Sequence, residues 1–402
     1  MKRGLAIAIG GILLMVALAL LVSSLPQPHR ETVNLGELIP QRALVPAESN
    51  GYALLMQAAA LLSFSNDPPV LRRYTNWDDV AADGLLRTNQ AALEVERQAW
   101  QKPSLQVEAV TNQAQEFPYL SGWSRLGRLA LLEAHRSFDL GRQQDGFDEV
   151  MQVMRLGQRI EGAEGAQIHY FVGRNLITLG AEYLRYFAAE TTLPASNLVA
   201  VAKVLGDFEP NPVVLRNLLR TEYGLSANCF DELNTNPIGY IGIAFSADRS
   251  KRDLAVDLLQ TMRALTNYYA PGVSLLPVVN TNISIGRRLW RGNIVGAILN
   301  DMQAGDYRPM LTRKCRNTVM VRATRVVLAL RAFELEKHRP ATSLAELVPD
   351  YLAAVPLDEF DGQPLRYSPS HQVVYSVGVC LVDGGGMAPT NAATGNILFP
   401  VH

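Results

Sequence analysis

The sequence predicts a mostly helical α+β protein, in which a large helical domain precedes a small domain made of one helix and an antiparallel sheet. Three observations lead to this fold class. Apolar residues recur at spacings of three and four through most of residues 47–310. Short apolar runs separated by turn residues follow the last long helical segment. A charge-free apolar run also lies close to the N-terminus.

The N-terminal apolar run, residues 4–22, is long enough to cross a bilayer, whose core requires about 20 apolar residues in a helix. Lys2 and Arg3 precede it, which favours a cytoplasmic N-terminus and export of everything that follows. Two interpretations stay open. Residues 1–24 can be a retained membrane anchor, which the length of the run favours, or a signal sequence cleaved near Val22-Ser23-Ser24.

The large domain is predicted from helical periodicity. Residues 25–46 contain several prolines and are weakly periodic, which predicts a linker. The first helix is capped by Ser49 or Asn50, and the second runs from Asn76 to a stop at Pro103. The segment Gly141–Gly146 is so short that the helices on either side should form an antiparallel hairpin. The other predicted helices cover residues 123–138, 147–154, 166–189, 196–204 and 211–230.

One stretch of the large domain, residues 236–277, departs from the helical pattern. Two apolar runs interrupted by glycine and proline surround a single helix there. Both runs are too short to span a bilayer. We therefore expect buried loops, with a lip that faces a membrane or a partner protein as the alternative.

Charge and composition exclude some classes of function. The formal net charge is −1, so no net field directs the chain to nucleic acid. A basic run in the last long helix (Arg313, Lys314, Arg316, Arg322, Arg325 and Arg331) is expected to be a solvated face paired with Glu334 and Glu336. Cys229, Cys315 and Cys380 match no metal-ligand spacing, and each is expected to be a buried structural residue.

No local motif for catalysis is present. The chain lacks Gly-x-Ser-x-Gly, Ser-x-x-Lys, His-Glu-x-x-His and a phosphate-binding glycine loop with lysine. His135 and His169 stand alone on predicted helices and are expected to be packed side chains rather than bases. Most acidic residues stand at helix starts, where the helix dipole explains them. The alternative is that some of them converge in a cleft, and the candidates are Glu48, Asp78, Asp79, Asp83, Glu222 and Asp231.

The C-terminal domain, residues 311–402, has the most informative pattern. A helix with Val319, Ala323, Val326, Leu330 and Phe333 on one face should pack on a small sheet formed by residues 365–367, 373–375 and 397–399. Between them come a Ser-Leu-x-x-Leu-Val turn, a Tyr-Leu pair and a Pro-Leu-Asp turn that closes on glycine. This order resembles the globular part of the major pseudopilin of bacterial type II secretion systems. The remainder of the chain resembles helical proteins of the bacterial envelope.

The resemblance implies a calcium site, because major pseudopilins hold Ca²⁺ in the loop around their last strands. The matching positions are Asp358, Asp361, Ser376 and Asp383. Cys380 stands where the family has an acidic ligand, and hard cations do not favour thiols. The N-terminus also lacks the Gly-Phe cleavage site of true pilin-like subunits. The resemblance therefore does not make the chain a fibre subunit.

Together these observations predict a single-pass inner-membrane protein with its bulk on the periplasmic side. The predicted domains are an anchor or signal sequence (1–24), a linker (25–46), the helical domain (47–310) and the pseudopilin-like domain (311–402). The favoured function is a non-enzymatic interaction or scaffolding role with protein partners at the envelope and no nucleic acid. The alternative is an envelope hydrolase with a site between the helical and C-terminal domains.

Overall fold

The structure is a computed structural model that describes residues 34–40, 42–71, 78–112, 114–235, 245–277, 293, 295–296, 298–300, 307–387 and 395–401. The predicted membrane segment, residues 4–22, and the predicted cap Asn76 lie outside these ranges. Within them, no helix combines the length and the apolarity needed to cross a membrane.

Eleven α-helices and three strands are described. The helices are α1 (Tyr52–Ala60), α2 (Asp79–Thr88), α3 (Gln90–Gln101), α4 (Tyr119–Asp139), α5 (Gln143–Glu161), α6 (Gln167–Glu190), α7 (Ala195–Val204), α8 (Pro212–Thr235), α9 (Ala247–Leu265), α10 (Tyr269–Leu275) and α11 (Arg308–Lys337). The strands are β1 (Arg366–Ser368), β2 (Val373–Ser376) and β3 (Ile397–Pro400), in the spatial order β1-β2-β3. The prediction of a mostly helical chain with a small antiparallel sheet is confirmed.

Helices α4, α5 and α6 form the centre of the helical array. Helix α5 runs antiparallel to α6, because Gln143 at the start of α5 accepts a hydrogen bond from Thr191 just after α6. It also packs on α4, its predicted hairpin partner across the Gly141–Gly146 segment, where a Cβ atom added to Gly146 would lie 2.8 Å from the Ala134 carbonyl oxygen. Gly157 and Gly173 allow the two backbones to approach, since a Cβ atom added to Gly157 would lie 2.6 Å from the Gly173 carbonyl oxygen. Helix α4 runs parallel to α6, because Tyr119 and His169 meet near their starts and His135 stacks on Phe187 near their ends.

One predicted helix is in fact two. The periodic pattern from residue 76 to 101 is divided at Asn89, which separates α2 from α3. The buried amide of Asn89 donates to the Leu85 carbonyl (2.8 Å) and accepts from the Ser63 backbone N–H (2.7 Å). Asparagine competes with the helical hydrogen-bond ladder in this way, so the helix ends although the apolar pattern continues. Asp78 caps α2 by accepting from Val80 N–H.

Helix α11 joins the array to the sheet. The five residues of its predicted apolar face are buried, and the helix contacts β2 and β3 as expected. From Asn317 to Phe333 its opposite side is buried as well, because the helix also packs on α6, α7 and α10, whereas Arg313 and Arg316 in its first turns are exposed. An α-helix that is buried on all sides belongs to the core rather than to a surface. It ends at Lys337, where His338 takes a left-handed C-cap conformation (φ 53°) and Pro340 follows.

The segment before α1 packs against the helical array and is hydrogen-bonded to it. Residues 34–40 and 42–46 belong to the predicted linker, and Leu38 is fully buried. The backbone carbonyl of Glu37 accepts from Arg220 Nε at 2.8 Å. The side chain of Gln106 donates to the Ala43 carbonyl (2.8 Å) and accepts from Val45 N–H (3.1 Å). The chain thus reaches the array well before its first helix.

The close approach of α5 and α6 makes a stability prediction. Gly173→Ala should destabilise the protein by about 1–3 kcal/mol, because the new methyl group would overlap the Gly157 carbonyl oxygen and lie 2.6 Å from the Glu161 backbone nitrogen. Gly84→Ala in α2 is the matched control, since nothing lies within 4 Å of its added Cβ. It should stabilise by about 0.5–1 kcal/mol. Urea unfolding followed by circular dichroism measures both; equal effects would contradict the predicted contact.

Candidate functional site

The four predicted calcium residues come together, but they surround an arginine. Arg366, in β1, contacts all three aspartates: Nη1 lies 3.3 Å from Asp358 Oδ2, Nη2 lies 2.6 Å from Asp361 Oδ2, and Nε lies 3.2 Å from Asp383 Oδ2. Ser376 Oγ donates to the other oxygen of Asp358 at 2.8 Å. The sequence prediction named the carboxylates and missed the guanidinium between them.

Asp358 is the fully buried member of this cluster. Burial raises the pKa of its carboxyl group, while hydrogen bonds from the backbone N–H groups of Phe360 (3.0 Å) and Val377 (2.9 Å) and from Ser376 favour the charged form. Each of its oxygens therefore accepts two hydrogen bonds. Oδ1 accepts from Phe360 N–H and Ser376 Oγ, and Oδ2 accepts from Val377 N–H and Arg366 Nη1.

The observed arrangement does not fit calcium. Ca²⁺ takes six to eight oxygen ligands, whereas the Asp358 oxygens already accept two hydrogen bonds each and an oxygen of each of the other two aspartates faces the guanidinium. Across the described ranges, no group of three or more His, Cys, Asp or Glu side chains is arranged to hold a metal ion. The cluster is complementary to a planar, permanently charged guanidinium.

A second ionic network links α11 to the turn that carries Asp358. Glu359 is buried and contacts both Lys314 Nζ and Arg322 Nη1, the latter at 2.8 Å. Arg322 also bonds both oxygens of Glu209, at 3.1 and 2.9 Å. The expectation of a solvated basic face is thus wrong for Lys314, which is buried. The predicted pair of Arg331 with Glu334 is present at 2.8 Å.

A pocket lies between the segment before α1 and helix α8. Its volume is about 290 Å³, near the lower end for sites that bind small ligands. Arg220 uses Nε and Nη1 for the Glu37 carbonyl and Asn217 Oδ1, which leaves its Nη2 without a partner among the described residues. The lining residues are Pro40, Arg42, Ala109, Val110, Glu164, Asn217, Arg220, Thr221, Gly224, Leu225 and Asn228.

One side of this pocket, which we call its roof, is formed by Arg42 and Glu164 and is held by hydrogen bonds and an ion pair. Arg42 donates to the backbone carbonyls of Val107 and Glu164, and its Nε lies 3.9 Å from Glu164 Oε2. Gln106 donates to the same carboxylate at 2.7 Å. Glu164 is therefore occupied in holding the roof. The exposed donors that remain for a ligand come from α8.

A second cleft, of about 510 Å³, lies along the first turns of α4. Asp67 pairs there with Arg128 and, at 3.6 Å, with Arg125 Nε. Ser121 and Ser124 of the same helix also line the cleft, and Asn66 lines it from the loop after α1. The cleft holds three ionisable groups, but arginine does not release its proton in proteins. It is suited to an ion pair or an anion rather than to acid–base chemistry.

Glutamates from three helices meet between α3, α4 and α5. Glu96 is completely buried. By strict geometry its carboxyl oxygens have no hydrogen-bond partner among the described residues, although the Trp100 indole lies close enough to favour the charged form. Burial, with the nearby charge of Glu133, raises its pKa to about 8. The same two causes raise the pKa of Glu149 to about 7. Glu133 itself is bonded to Arg97 at 2.5 Å. Sequence periodicity placed no carboxylate here, since Glu96 interrupts an apolar stripe.

The histidines singled out in the sequence are packed between helices, and the acids do not form a single cluster. Burial lowers the pKa of His135 and of His169 to about 4, so both are neutral at pH 7, and His169 accepts from Tyr119 or donates to it at 2.8 Å. The acidic candidates are dispersed over the described structure rather than gathered in one cleft. Asp79 and Asp83 pair with Arg136, Asp231 pairs with Lys251, Glu222 is partly buried, and Glu48 is exposed.

The cysteines are unpaired within the described ranges. Cys315 is buried as expected, and burial raises the pKa of its thiol to about 12, which makes it unreactive. Cys229 and Cys380 are partly exposed, so the prediction of burial is wrong for these two. Cys229 lies in α8, and Cys380 lies in the short turn after β2.

Comparison with known proteins gives no relative for this chain: no protein family, no curated protein and no solved structure matches it.

The glutamate cluster makes a pH prediction. A carboxyl group whose pKa is raised in the folded state destabilises that state progressively as pH rises from about 4.5 to 8. Glu96→Gln should therefore gain stability relative to the natural protein over this range, reaching a plateau on the order of 4 kcal/mol above pH 8. Only the change with pH is diagnostic, because a buried glutamine carries a pH-independent cost of its own.

Urea unfolding at pH 5.5, 7 and 8.5 measures the effect. Glu94→Gln, an exposed position on the same helix, is the matched control and should leave the pH dependence unchanged. Parallel pH curves for Glu96→Gln and the natural protein would show that Glu96 is charged in the folded state at neutral pH.

Proposed function

We propose that this chain is a non-enzymatic interaction protein of the bacterial cell envelope. In this proposal, residues 4–22 anchor it in the inner membrane and the folded part stands on the periplasmic side. The C-terminal resemblance to pseudopilins and the N-terminal apolar run motivate the location. The arrangement of the titratable groups and the pockets motivates the kind of function.

One observation carries the proposal: the side chains with strongly shifted pKa values and the two pockets occupy different places. Enzymes bring perturbed acids and bases into a cleft that a substrate can enter. Here Glu96, His135 and His169 are buried between helices. The pocket at α8 is lined instead by amides, aliphatic groups and two arginines, with one carboxylate that is engaged in the roof. Such a lining is suited to recognition.

The pocket at α8 is our candidate for the contact with a partner. Arg220, Asn217 and Asn228 offer hydrogen-bonding groups beside the apolar Pro40 and Leu225. An extended protein segment with an acidic side chain matches this lining, because its backbone can bond the amides and its carboxylate can meet Arg220.

The position of this pocket suits a partner at the membrane. Only eleven residues separate the end of the apolar run at Val22 from Asn34, where the described chain begins. An extended segment of that length spans at most about 40 Å. An anchored chain would therefore keep the pocket close to the bilayer surface, within reach of other envelope proteins.

The competing proposal, an envelope hydrolase, is favoured by one observation. The pKa of Glu149 is raised to about 7, and a general acid or base functions best when its pKa lies near the working pH. The glutamate cluster lies within the helical array, however, rather than between the array and the C-terminal domain where the sequence analysis expected a site. Glu149→Gln separates the two proposals, because it should abolish a hydrolase and leave partner binding intact.

The proposal is tested by mild crosslinking of the full-length protein in native membranes, followed by affinity purification and mass spectrometry. We expect a defined set of envelope proteins. Arg220→Ala should reduce their yield by roughly tenfold, since a charge-assisted hydrogen bond contributes about 1.5–3 kcal/mol. Gly224→Leu should do the same by filling the pocket, where an added Cβ meets only Pro40 at 3.5 Å.

Arg216→Ala is the control, because Arg216 is exposed on the same helix and does not line the pocket. Loss of partners with this variant as well would indicate a general charge effect. Recovery of the protein alone from membranes would count against the interaction proposal and would direct attention to Glu149.

A further inference from the structure

The carboxylates around Arg366 come from two separate segments. Asp358 and Asp361 lie in the turn before β1, and Asp383 lies in the loop after β2. Each position is fixed by other bonds. Asp361 Oδ1 accepts from the Gln363 N–H at 3.0 Å, and Asp383 Oδ1 accepts from the Tyr375 hydroxyl at 3.0 Å. The three side chains are thus held in place independently of Arg366, and their Oδ2 atoms point at its guanidinium.

The charges of this cluster do not balance without a cation. Three carboxylates face one guanidinium, and like charges held this close repel unless a positive charge lies between them. The nearest basic residues of the long helix are engaged elsewhere, since Lys314 and Arg322 both pair with Glu359. Arg366 is therefore the cation that allows these segments to meet.

We propose that Arg366 is a built-in cation that takes the place of a bound divalent metal ion in the C-terminal domain. A guanidinium is permanently charged and covalently attached, so its occupancy depends neither on the concentration of calcium nor on pH. The natural protein then keeps this loop cluster ordered without calcium. Removal of the guanidinium leaves three positioned carboxylates together, and this variant acquires a site for a hard divalent cation.

The inference does not depend on the proposed interaction function, because it concerns only residues 358–383. It also accounts for the disagreement between the calcium expectation and the observed geometry. The carboxylates at the matching positions are present, but the cation between them is the guanidinium of Arg366.

The experiment uses the purified full-length protein in detergent, with thermal unfolding followed by intrinsic fluorescence in a chelator, in millimolar CaCl₂ and in millimolar MgCl₂. The natural protein should give the same Tm in all three. Arg366→Ala should have a lower Tm in chelator and should regain several degrees in CaCl₂, with a saturable dependence on calcium concentration. Arg366→Lys retains a positive charge and should stay insensitive to calcium.

Arg339→Ala is the matched control, because Arg339 pairs with Glu346 at 2.6 Å on the surface of the same domain. It should not create a calcium response. A rise in the Tm of the natural protein with calcium would overturn the proposal, as would a folded Arg366→Ala variant that ignores calcium. If Arg366→Ala does not fold in chelator, Arg366→Gln replaces it. Failure of both variants to fold even in calcium would also overturn the proposal, because the carboxylates would then be unable to hold a divalent ion.

Discussion

The burial of α11 from Asn317 to Phe333, between the helical array and the sheet, is the constraint on which the rest of the structure depends. The helix contributes apolar residues to the array through α6 and α7 and to the sheet through β2 and β3. It also carries Lys314 and Arg322 into partly or fully desolvated positions, where an unpaired charge would be strongly destabilising. Glu359 pairs with both of these residues, so the turn that contains it must lie against the helix.

The aspartate cluster follows from that pairing. Asp358 is the residue before Glu359. Because Glu359 is held by Lys314 and Arg322, Asp358 lies at the end of β2, where it bonds Ser376 and Val377. The backbone of the same turn accepts from α10, through Glu359 O to Tyr269 N–H (2.9 Å) and Phe360 O to Ala270 N–H (3.1 Å). One charged residue on the turn therefore organises three contacts: with the long helix, with the array and with the neighbouring carboxylates.

Local pattern was sufficient for most of the elements and insufficient for the site. The starts and ends of α6, α7 and α8 are set by apolar spacing and proline positions, and both can be read from neighbouring residues. The division at Asn89 depends on Ser63, which is 26 residues away. The sequence analysis did not identify Arg366 because its partners lie in two segments on either side of β2, and the pocket at α8 combines residues as distant as Arg42 and Asn228. The spacing of residues along the chain carries no information about such tertiary contacts between distant segments.

The position of α11 near the end of the chain has a consequence for the order of events during synthesis. The side chains of α6 that face it, such as Arg185, which bonds Thr324, wait for a segment made 139 residues later. The face of α6 that packs on α11 therefore has no partner helix until residues 308–337 have been made. The array and the sheet both complete their cores on that one helix, so we expect them to become stable together rather than in the order of their synthesis.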